Sequence, residues 1–209
     1  MGNSAIILAG GLSTRFGQDK GLIPLANKPL IRYVLEAAGQ IVDEIVVVVN
    51  SKTQAEKFSK ILLSDAKILV DLFDDRGPLV GALTGFRGVS GEYALLLPCD
   101  TPLVSKEVLQ FLLDLCINRN AVIPRWPNGY IEPLQASYRV KPALEAAEKT
   151  LAEGKRDMRS MIERLGGVRY VSTLVLQQFD KELNFFANVN TPLDLKRVEQ
   201  ILRRMNVKL

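Results

Sequence analysis

Short apolar runs alternate with amphipathic segments in the first part of the chain, and this alternation limits the folds open to it. Apolar runs at residues 5–8, 44–50 and 67–71 are too short for helices and have the composition of buried strands. Apolar residues at helical spacing lie between them, at 30–38 and 52–63. Strands alternating with helices predict right-handed crossovers and a parallel sheet. The predicted fold class is α/β, Rossmann-like, with three α/β/α layers around a mostly parallel sheet.

A glycine pair and two cations follow the first predicted strand within a dozen residues. Gly10 and Gly11 let backbone N–H groups approach an anion with no Cβ in the way. Arg15 supplies a planar fork of donors and Lys20 a mobile point charge. The combination is typical of a phosphate-binding loop, although it matches neither the P-loop pattern nor the dinucleotide pattern. For the glycine pair alone, a turn with solvated cations is the alternative.

Polar residues end three further predicted strands. Asn50 and Asp71 end the second and third strands, and Asp100 follows a buried strand at residues 93–98. Parallel sheets bind ligands beyond the carboxyl ends of their strands, so we expect these side chains beside the glycine pair. For Asn50 and Asp71 a strand-ending turn residue is the alternative. Asp100 has the alternative of a helix cap, but Ser105 is the better candidate for that cap.

The second half of the chain continues the pattern with one change of composition. Asn128-Gly129 is a hairpin signal flanked by aromatic residues, and it predicts a small antiparallel hairpin lobe over residues 125–139. The other predicted elements are helices at 106–118, 141–153, 158–165 and 193–205, and strands at 121–124 and Val168–Ser172. The length and the lack of a linker favour a single domain, residues 1–209.

Composition excludes several chemistries. The chain has no histidine, which excludes Ser-His-Asp and Cys-His catalysis and histidine-bound zinc. Any metal should therefore be a hard cation held by carboxylates and phosphates, Mg²⁺ first. Cys99 and Cys116 lack C-x-x-C spacing and predict a reduced, cytoplasmic protein. The net charge of +4 is spread without basic tracts, so neither nucleic acid nor membrane is an expected partner.

Four motifs together resemble one family of enzymes. The first is the string Leu8-Ala9-Gly10-Gly11 followed by Ser13, Arg15, Gly17, Asp19 and Lys20. The others are G-P-L-x-G at 77–81, P-C-D-T-P at 98–102 and F-x-N-x-N-T-P at 186–192. They are similar to the signatures of nucleotidyltransferases with a nucleotide-diphospho-sugar transferase fold, and most of all to the molybdenum cofactor guanylyltransferase family. The resemblance covers residues 5–195.

This resemblance implies a role for each matching position. Residues 1–120 would form the nucleotide-binding half and residues 121–209 the acceptor-binding half. The implied nucleotide-binding residues are Leu8, Ala9, Gly10, Gly11, Lys20, Asn50, Asp71, Gly77, Pro78, Gly81 and Asp100. The implied catalytic residues are Arg15, Lys20 and Asp100, with Mg²⁺ as cofactor on Asp100 and Asn190. The implied acceptor-binding residues are Glu132, Pro133, Asn188 and Asn190.

The reaction implied is transfer of GMP from GTP to the phosphate of molybdopterin, with release of pyrophosphate. Partner proteins implied in the same way are a molybdopterin-metal insertion protein and molybdoenzyme chaperones. One alternative is a sister enzyme that uses CTP or another nucleotide with molybdopterin or a sugar or alditol phosphate. The alternative of another class is a non-catalytic protein that binds nucleotide or cofactor and delivers it.

Overall fold

The structure, a computed structural model, describes residues 2–13, 16–62, 66–71 and 77–206. The strands in these ranges are β1 (Asn3–Leu8), β2 (Leu12–Ser13), β3 (Gln18–Asp19), β4 (Pro24–Leu25), β5 (Lys28–Pro29), β6 (Glu44–Val49), β7 (Lys67–Val70), β8 (Tyr93–Pro98), β9 (Ala121–Arg125), β10 (Ala136–Arg139) and β11 (Val168–Ser172). The helices are α1 (Leu30–Ala38), α2 (Lys52–Leu62), α3 (Pro78–Gly88), α4 (Lys106–Cys116), α5 (Val140–Ala152), α6 (Met158–Arg164), α7 (Thr173–Leu176) and α8 (Pro192–Asn206). Short 3₁₀ helices span Lys20–Leu22 and Asn184–Phe186.

A seven-stranded sheet forms the centre of the described chain, in the order β11-β9-β10-β8-β1-β6-β7. Neighbouring strands run parallel except around β10, which is antiparallel to both β8 and β9. Both halves of the chain contribute strands to this sheet. The mostly parallel α/β architecture predicted from the alternation of strands and helices is confirmed.

Helices cover both faces of the sheet, because side chains along each buried strand point alternately to the two faces. Ile7 belongs to an apolar cluster that includes Val34 of α1 and Leu112 of α4. Its neighbour Ile6 belongs to a second cluster, which includes Leu83 of α3 and other residues of α3, α5 and α6. Because both faces are buried, the central strands read as continuous apolar runs rather than alternating ones.

The strand β10 differs from the predictions, which included residues 136–139 in the hairpin lobe. It is inserted between β8 and β9, and its Ser137 is fully buried. The Ser137 hydroxyl donates to the carbonyl of Leu112 at 2.7 Å, which satisfies a polar group within the core. The predicted hairpin at Asn128-Gly129 forms through a single antiparallel bridge, Arg125 to Ile131.

The register of the central strands brings their carboxyl ends to one edge of the sheet. Leu8 lies opposite both Val48 and Pro98, so the residues that follow β1, β6 and β8 meet at the same level. The segment after β1 returns through the β2–β3 pair, and the Lys20 N–H donates to the Gly11 carbonyl at 3.3 Å. None of the described helices is both long and apolar enough to cross a membrane.

Candidate functional site

A cavity of about 520 Å³ opens at this edge of the sheet. Its lining contains every residue predicted to bind nucleotide except Ala9. The lining residues are Leu8, Gly10, Gly11, Lys20, Val48, Asn50, Asp71, Gly77, Pro78, Gly81, Pro98, Cys99, Asp100 and Leu134. The strand-end argument placed Asn50, Asp71 and Asp100 beside the glycine pair, and the structure brings them together with Gly77, Pro78 and Gly81, which the family resemblance had implied.

Gly10 and Asn50 are in close contact just after the carboxyl end of β1. The Asn50 amide donates through Nδ2 to the Gly10 carbonyl at 2.5 Å. A Cβ at Gly10 would overlap the Asn50 carboxamide, so a side chain at this position would require the exposed Asn50 side chain to move away from the Gly10 carbonyl. The contact joins the first residues after β1 to the first residue after β6.

Asp71 is fixed beside the first turn of α3. Its carboxylate accepts from the Thr84 hydroxyl at 2.7 Å, and its backbone N–H donates to the Val49 carbonyl at 2.7 Å. Gly81, in the first turn, brings the helix backbone close to both β1 and Asp71: a Cβ there would lie 3.3 Å from Leu8 and 3.8 Å from the Asp71 carboxylate. Pro78 occupies the first helical position, where its missing N–H costs nothing.

Lys20, Asp100 and Asn190 meet on the opposite side of the cavity. The Lys20 ammonium donates to Asp100 Oδ2 at 3.1 Å and to Asn190 Oδ1 at 2.5 Å. The Asp100 side chain is 10% exposed and that of Lys20 is 24% exposed, so this ion pair is partly screened from solvent. Three residues far apart in sequence thus form one charged constellation.

The residues at the N-terminal end of α8 position Asn190. Thr191 and Asp194 form a reciprocal cap: the Thr191 hydroxyl accepts from the Asp194 N–H, and the Asp194 carboxylate accepts from the N–H groups of Thr191 and Asn190. Val189 is fully buried, and its N–H donates to the Asp100 carbonyl at 2.9 Å. Thr191 thus caps α8, and the Val189 hydrogen bond connects the F-x-N-x-N-T-P motif to Asp100.

The oxygen atoms of Asp100 and Asn190 fit a magnesium ion in chemical type. Within the described ranges, no group of three or more carboxylate or thiol side chains lies together, so the protein offers few ligands of its own. Mg²⁺ sites of this kind use one or two carboxylates and complete the shell with water and substrate phosphates. The Lys20 ammonium donates hydrogen bonds to both candidate ligand atoms, Asp100 Oδ2 and Asn190 Oδ1.

Cys99 lines the cavity but is not suited to act as a nucleophile. Its side chain is buried, and burial, followed by the charge of neighbouring Asp100, raises the pKa of its thiol far above its usual range. A Cβ at Gly21 would lie 3.3 Å from the Cys99 Cβ, which shows how closely the two backbones pack. The thiol remains protonated at neutral pH and fills space.

A second cavity, of about 580 Å³, lies beside the first and shares Pro78 and Leu134 with it. The hairpin residues 128–131, Pro133 and residues 157–159 at the start of α6 complete its lining. Glu132 points elsewhere: Trp126 Nε1 donates to its carboxylate at 2.7 Å, and burial raises the pKa of Glu132. Of the predicted acceptor-binding residues, Pro133 thus lines this second cavity and Asn190 lies at the edge of the first.

The remaining predicted residues lie outside both cavities or outside the described ranges. Ala9 directly follows β1, and its N–H donates to the Val48 carbonyl. Its side chain is fully buried on the face of the sheet opposite to Leu8, so it does not line the cavity. Asn188 is exposed. Arg15 lies outside the residues that the structure describes.

The sequence predictions missed Leu134, which lies between the two cavities, and the apolar wall of Val48 and Pro98. Val48 and Pro98 could have been found from their pairing opposite Leu8, since paired residues lie at the same level of the sheet. No sequence signal marks Leu134, because its place depends on the path of the chain between β9 and β10.

The fold and the site together define an α/β protein of the nucleotidyltransferase type. Residues 5–169 match the family model described as MobA-like NTP transferase domain, and the chain belongs to this family. A relative from Methanosarcina mazei, named probable molybdenum cofactor guanylyltransferase, is 32% identical over 93% of this chain and 89% of its own. A relative of the same name from Methanothermobacter thermautotrophicus is 33% identical over 93% of this chain and 98% of its own.

A crystal structure with a similar fold is also named for molybdenum cofactor biosynthesis. It is molybdopterin-guanine dinucleotide biosynthesis protein A from Archaeoglobus fulgidus, 33% identical in sequence. It superposes with a TM-score of 0.82 and covers 96% of this chain and 99% of its own. The family resemblance carried by the four sequence motifs is thereby confirmed.

Proposed function

We propose that this protein transfers GMP from GTP to the terminal phosphate of molybdopterin or of the molybdenum cofactor, releasing pyrophosphate. The observation that carries the proposal is the meeting of Lys20, Asp100 and Asn190 at the edge of a cavity lined by the phosphate loop and by the G-P-L-x-G segment. The names of the relatives support the choice of guanine nucleotide and of molybdopterin.

The cavity divides into a base side and a phosphate side. Gly77, Pro78 and Gly81 form a wall where backbone can approach a planar base, with Asp71 beside it as a hydrogen-bond acceptor. Gly10, Gly11 and Lys20 form the phosphate side, where backbone amides and one ammonium favour an anion. We assign guanine to the first side and the triphosphate to the second.

The reaction is an in-line displacement in which the protein positions charge. A phosphate oxygen of the acceptor attacks the α-phosphorus of GTP, the bond from that phosphorus to the bridging oxygen breaks, and pyrophosphate leaves with the electron pair. Lys20 stabilises the negative charge that grows on the leaving group, and Arg15 is expected to assist it. No covalent enzyme intermediate is required.

Asp100 and Asn190 would hold a magnesium ion, which supplies charge neutralisation for the phosphates when bound. The acceptor would approach from the second cavity, because that cavity shares Leu134 with the first. We expect the protein to act in the cytoplasm, which suits its two buried free cysteines. The implied insertion protein and molybdoenzyme chaperones remain the candidate protein partners.

Pyrophosphate release from GTP, CTP, ATP and UTP, measured with Mg²⁺ in the presence and absence of molybdopterin, tests the proposal. Release is expected with GTP and molybdopterin together. In Asp100→Ala, turnover should fall roughly a hundredfold or more, as in other losses of electrostatic stabilisation. Asp114→Ala is the matched control, because Asp114 is an exposed residue of α4 that pairs with Gln110.

The other outcomes separate the alternatives. Release with CTP would retain the mechanism and change the nucleotide. Binding of GTP without turnover, even with molybdopterin and Mg²⁺, would contradict the proposed reaction and favour a delivery role. Equal turnover in Asp100→Ala and Asp114→Ala would remove Asp100 from the mechanism.

A further inference from the structure

A buried glutamine on α2 connects the phosphate-binding loop, residues 8–20, to the end of β6 and does not line the cavity. Gln54 is 5% exposed, and its Nε2 donates to Asp19 Oδ1 at 2.6 Å. Its Oε1 accepts from the backbone N–H of Asn50 at 2.8 Å. Asp19 is 1% exposed, and its other carboxylate oxygen accepts from Lys57 Nζ at 3.0 Å. The amide thus bridges the end of β6 and the end of β3.

Each end of this bridge is attached to a cavity residue. On one side, Asn50 holds the Gly10 carbonyl through its side chain. On the other, Asp19 directly precedes Lys20, whose ammonium reaches Asp100 and Asn190. A continuous path therefore runs from Gly10 through Asn50, Gln54 and Asp19 to Lys20, and it spans the base of the phosphate loop.

The chemistry of the two partners fixes the orientation of the amide. The Asn50 N–H can only donate, and the Asp19 carboxylate accepts from both Gln54 and Lys57, so the oxygen of Gln54 faces Asn50 and its nitrogen faces Asp19. A leucine at this position would satisfy neither partner. A glutamate would satisfy Asn50, but it would need a proton to donate to Asp19.

We propose that Gln54 is a positioning residue for nucleotide binding, which holds Asn50 and Lys20 at the separation that the triphosphate requires. This inference rests on the proposed function, because it assumes that GTP occupies the cavity. Gln54 itself does not line the cavity. It acts through the backbone of Asn50 and through Asp19.

The test compares three variants with the wild type. Gln54→Leu removes both hydrogen bonds, Gln54→Glu keeps one of them, and Gln110→Leu removes a partly exposed glutamine of α4 that pairs with Asp114. Circular dichroism and thermal unfolding establish the temperature at which each variant is folded. The dissociation constant of Mg²⁺–GTP is then measured by calorimetry well below that temperature, and KM and kcat are measured under the same conditions.

Gln54→Leu should weaken GTP binding about tenfold and raise KM for GTP by a similar factor, since about one net hydrogen bond of positioning is lost. Gln110→Leu should bind GTP as the wild type does. The charged groups facing Gln54 and Asp19 are Lys57 of α2 and, next along the chain, Lys20 with its partner Asp100.

A pH series on Gln54→Glu provides the readout that a merely structural role would not move. At pH about 5.5 a protonated glutamate can donate to Asp19, so the ratio of its GTP affinity to that of the wild type should approach one. At pH about 8 the glutamate is ionised against Asp19, and the ratio should fall about tenfold or more. The ratio removes the titration of GTP itself, which both proteins share.

Two results would overturn the inference, and each is distinct from failure of the proposed function. If Gln54→Leu is folded and binds GTP as tightly as the wild type, Gln54 is not a positioning residue. If Gln54→Leu does not fold, an affinity ratio for Gln54→Glu that stays constant with pH overturns it instead. A wild-type protein that binds no nucleoside triphosphate would refute the proposed function.

Discussion

The ammonium of Lys20 lies 3.1 Å from the carboxylate of Asp100, although the two residues are 80 positions apart in the chain. Asn190 accepts from the same ammonium, so both residues expected to bind Mg²⁺ are held by a protein cation. A divalent cation and Lys20 must therefore compete for the same oxygen atoms, unless Lys20 turns toward the phosphates when nucleotide binds. This relationship leads to the first prediction.

Replacing Lys20 by methionine should make divalent cation binding to the nucleotide-free protein tighter, because a competing charge is removed. Turnover should fall roughly a hundredfold or more at the same time, because the leaving pyrophosphate loses its stabilising charge. Binding of Mn²⁺, followed by electron paramagnetic resonance without nucleotide, measures the first effect. Pyrophosphate release measures the second.

The matched control is Lys28→Met, since Lys28 forms a partly exposed ion pair with Glu36 and does not line the cavity. It should change neither Mn²⁺ binding nor turnover. Weaker or unchanged Mn²⁺ binding in Lys20→Met would show that Asp100 and Asn190 do not form the cation site.

The second prediction concerns the close approach of Gly10 to Asn50. Gly10→Ala should destabilise the protein by about 1 kcal/mol, because the added methyl group overlaps the exposed Asn50 carboxamide and displaces it from its hydrogen bond to the Gly10 carbonyl. Gly11→Ala should be tolerated better in the same measurement, since the nearest atom to its Cβ is the Lys20 Cδ at 3.7 Å. Urea unfolding gives both values.

A double variant separates this clash from other effects of alanine. Gly10→Ala combined with Asn50→Ala should be less destabilised than the sum of the two single variants, because the shorter side chain leaves room for the new methyl group. Simple additivity would contradict the steric explanation. The same three proteins should bind GTP more weakly than the wild type, since both residues line the cavity.

Much of this fold could be predicted because its central strands and helices have strong periodic patterns. The predicted bounds of α1 (Leu30–Ala38) and β11 (Val168–Ser172) agree with the structure, and Ser105 caps α4 as expected by accepting from the Val108 N–H. The strand β10 could not be predicted in this way. Its buried Ser137 interrupts the apolar pattern, and the carbonyl that satisfies it comes from distant Leu112.

The candidate site shows the same division between local and distant causes. Asn50, Asp71 and Asp100 could be placed together because the carboxyl ends of parallel strands meet at one edge. Gln54 could not be recognised, because a glutamine in an amphipathic helix reads as a surface residue. Its burial depends on Asp19, which comes from a different segment.

The last prediction concerns stability at alkaline pH and rests on Cys116, which is fully buried at the end of α4. Burial raises the pKa of this thiol from 9.0 to about 11 in the folded protein. Above pH about 9 the unfolded chain releases the proton while the folded protein retains it, so ionisation stabilises the unfolded state. The stabilising contribution is complete below pH 9 and is lost as the pH rises toward 11.

The expected loss is about 2–3 kcal/mol, from about 1.4 kcal/mol for each unit of pKa difference. Cys116→Ala lacks this thiol, so its free energy of unfolding should decrease less steeply than that of the wild type between pH 9 and 11. Urea unfolding at each pH measures both curves, and ionisations common to the two proteins cancel in their difference. Parallel curves would mean that Cys116 ionises as readily in the folded protein as in the unfolded chain, which its complete burial in the apolar cluster beneath α4 argues against.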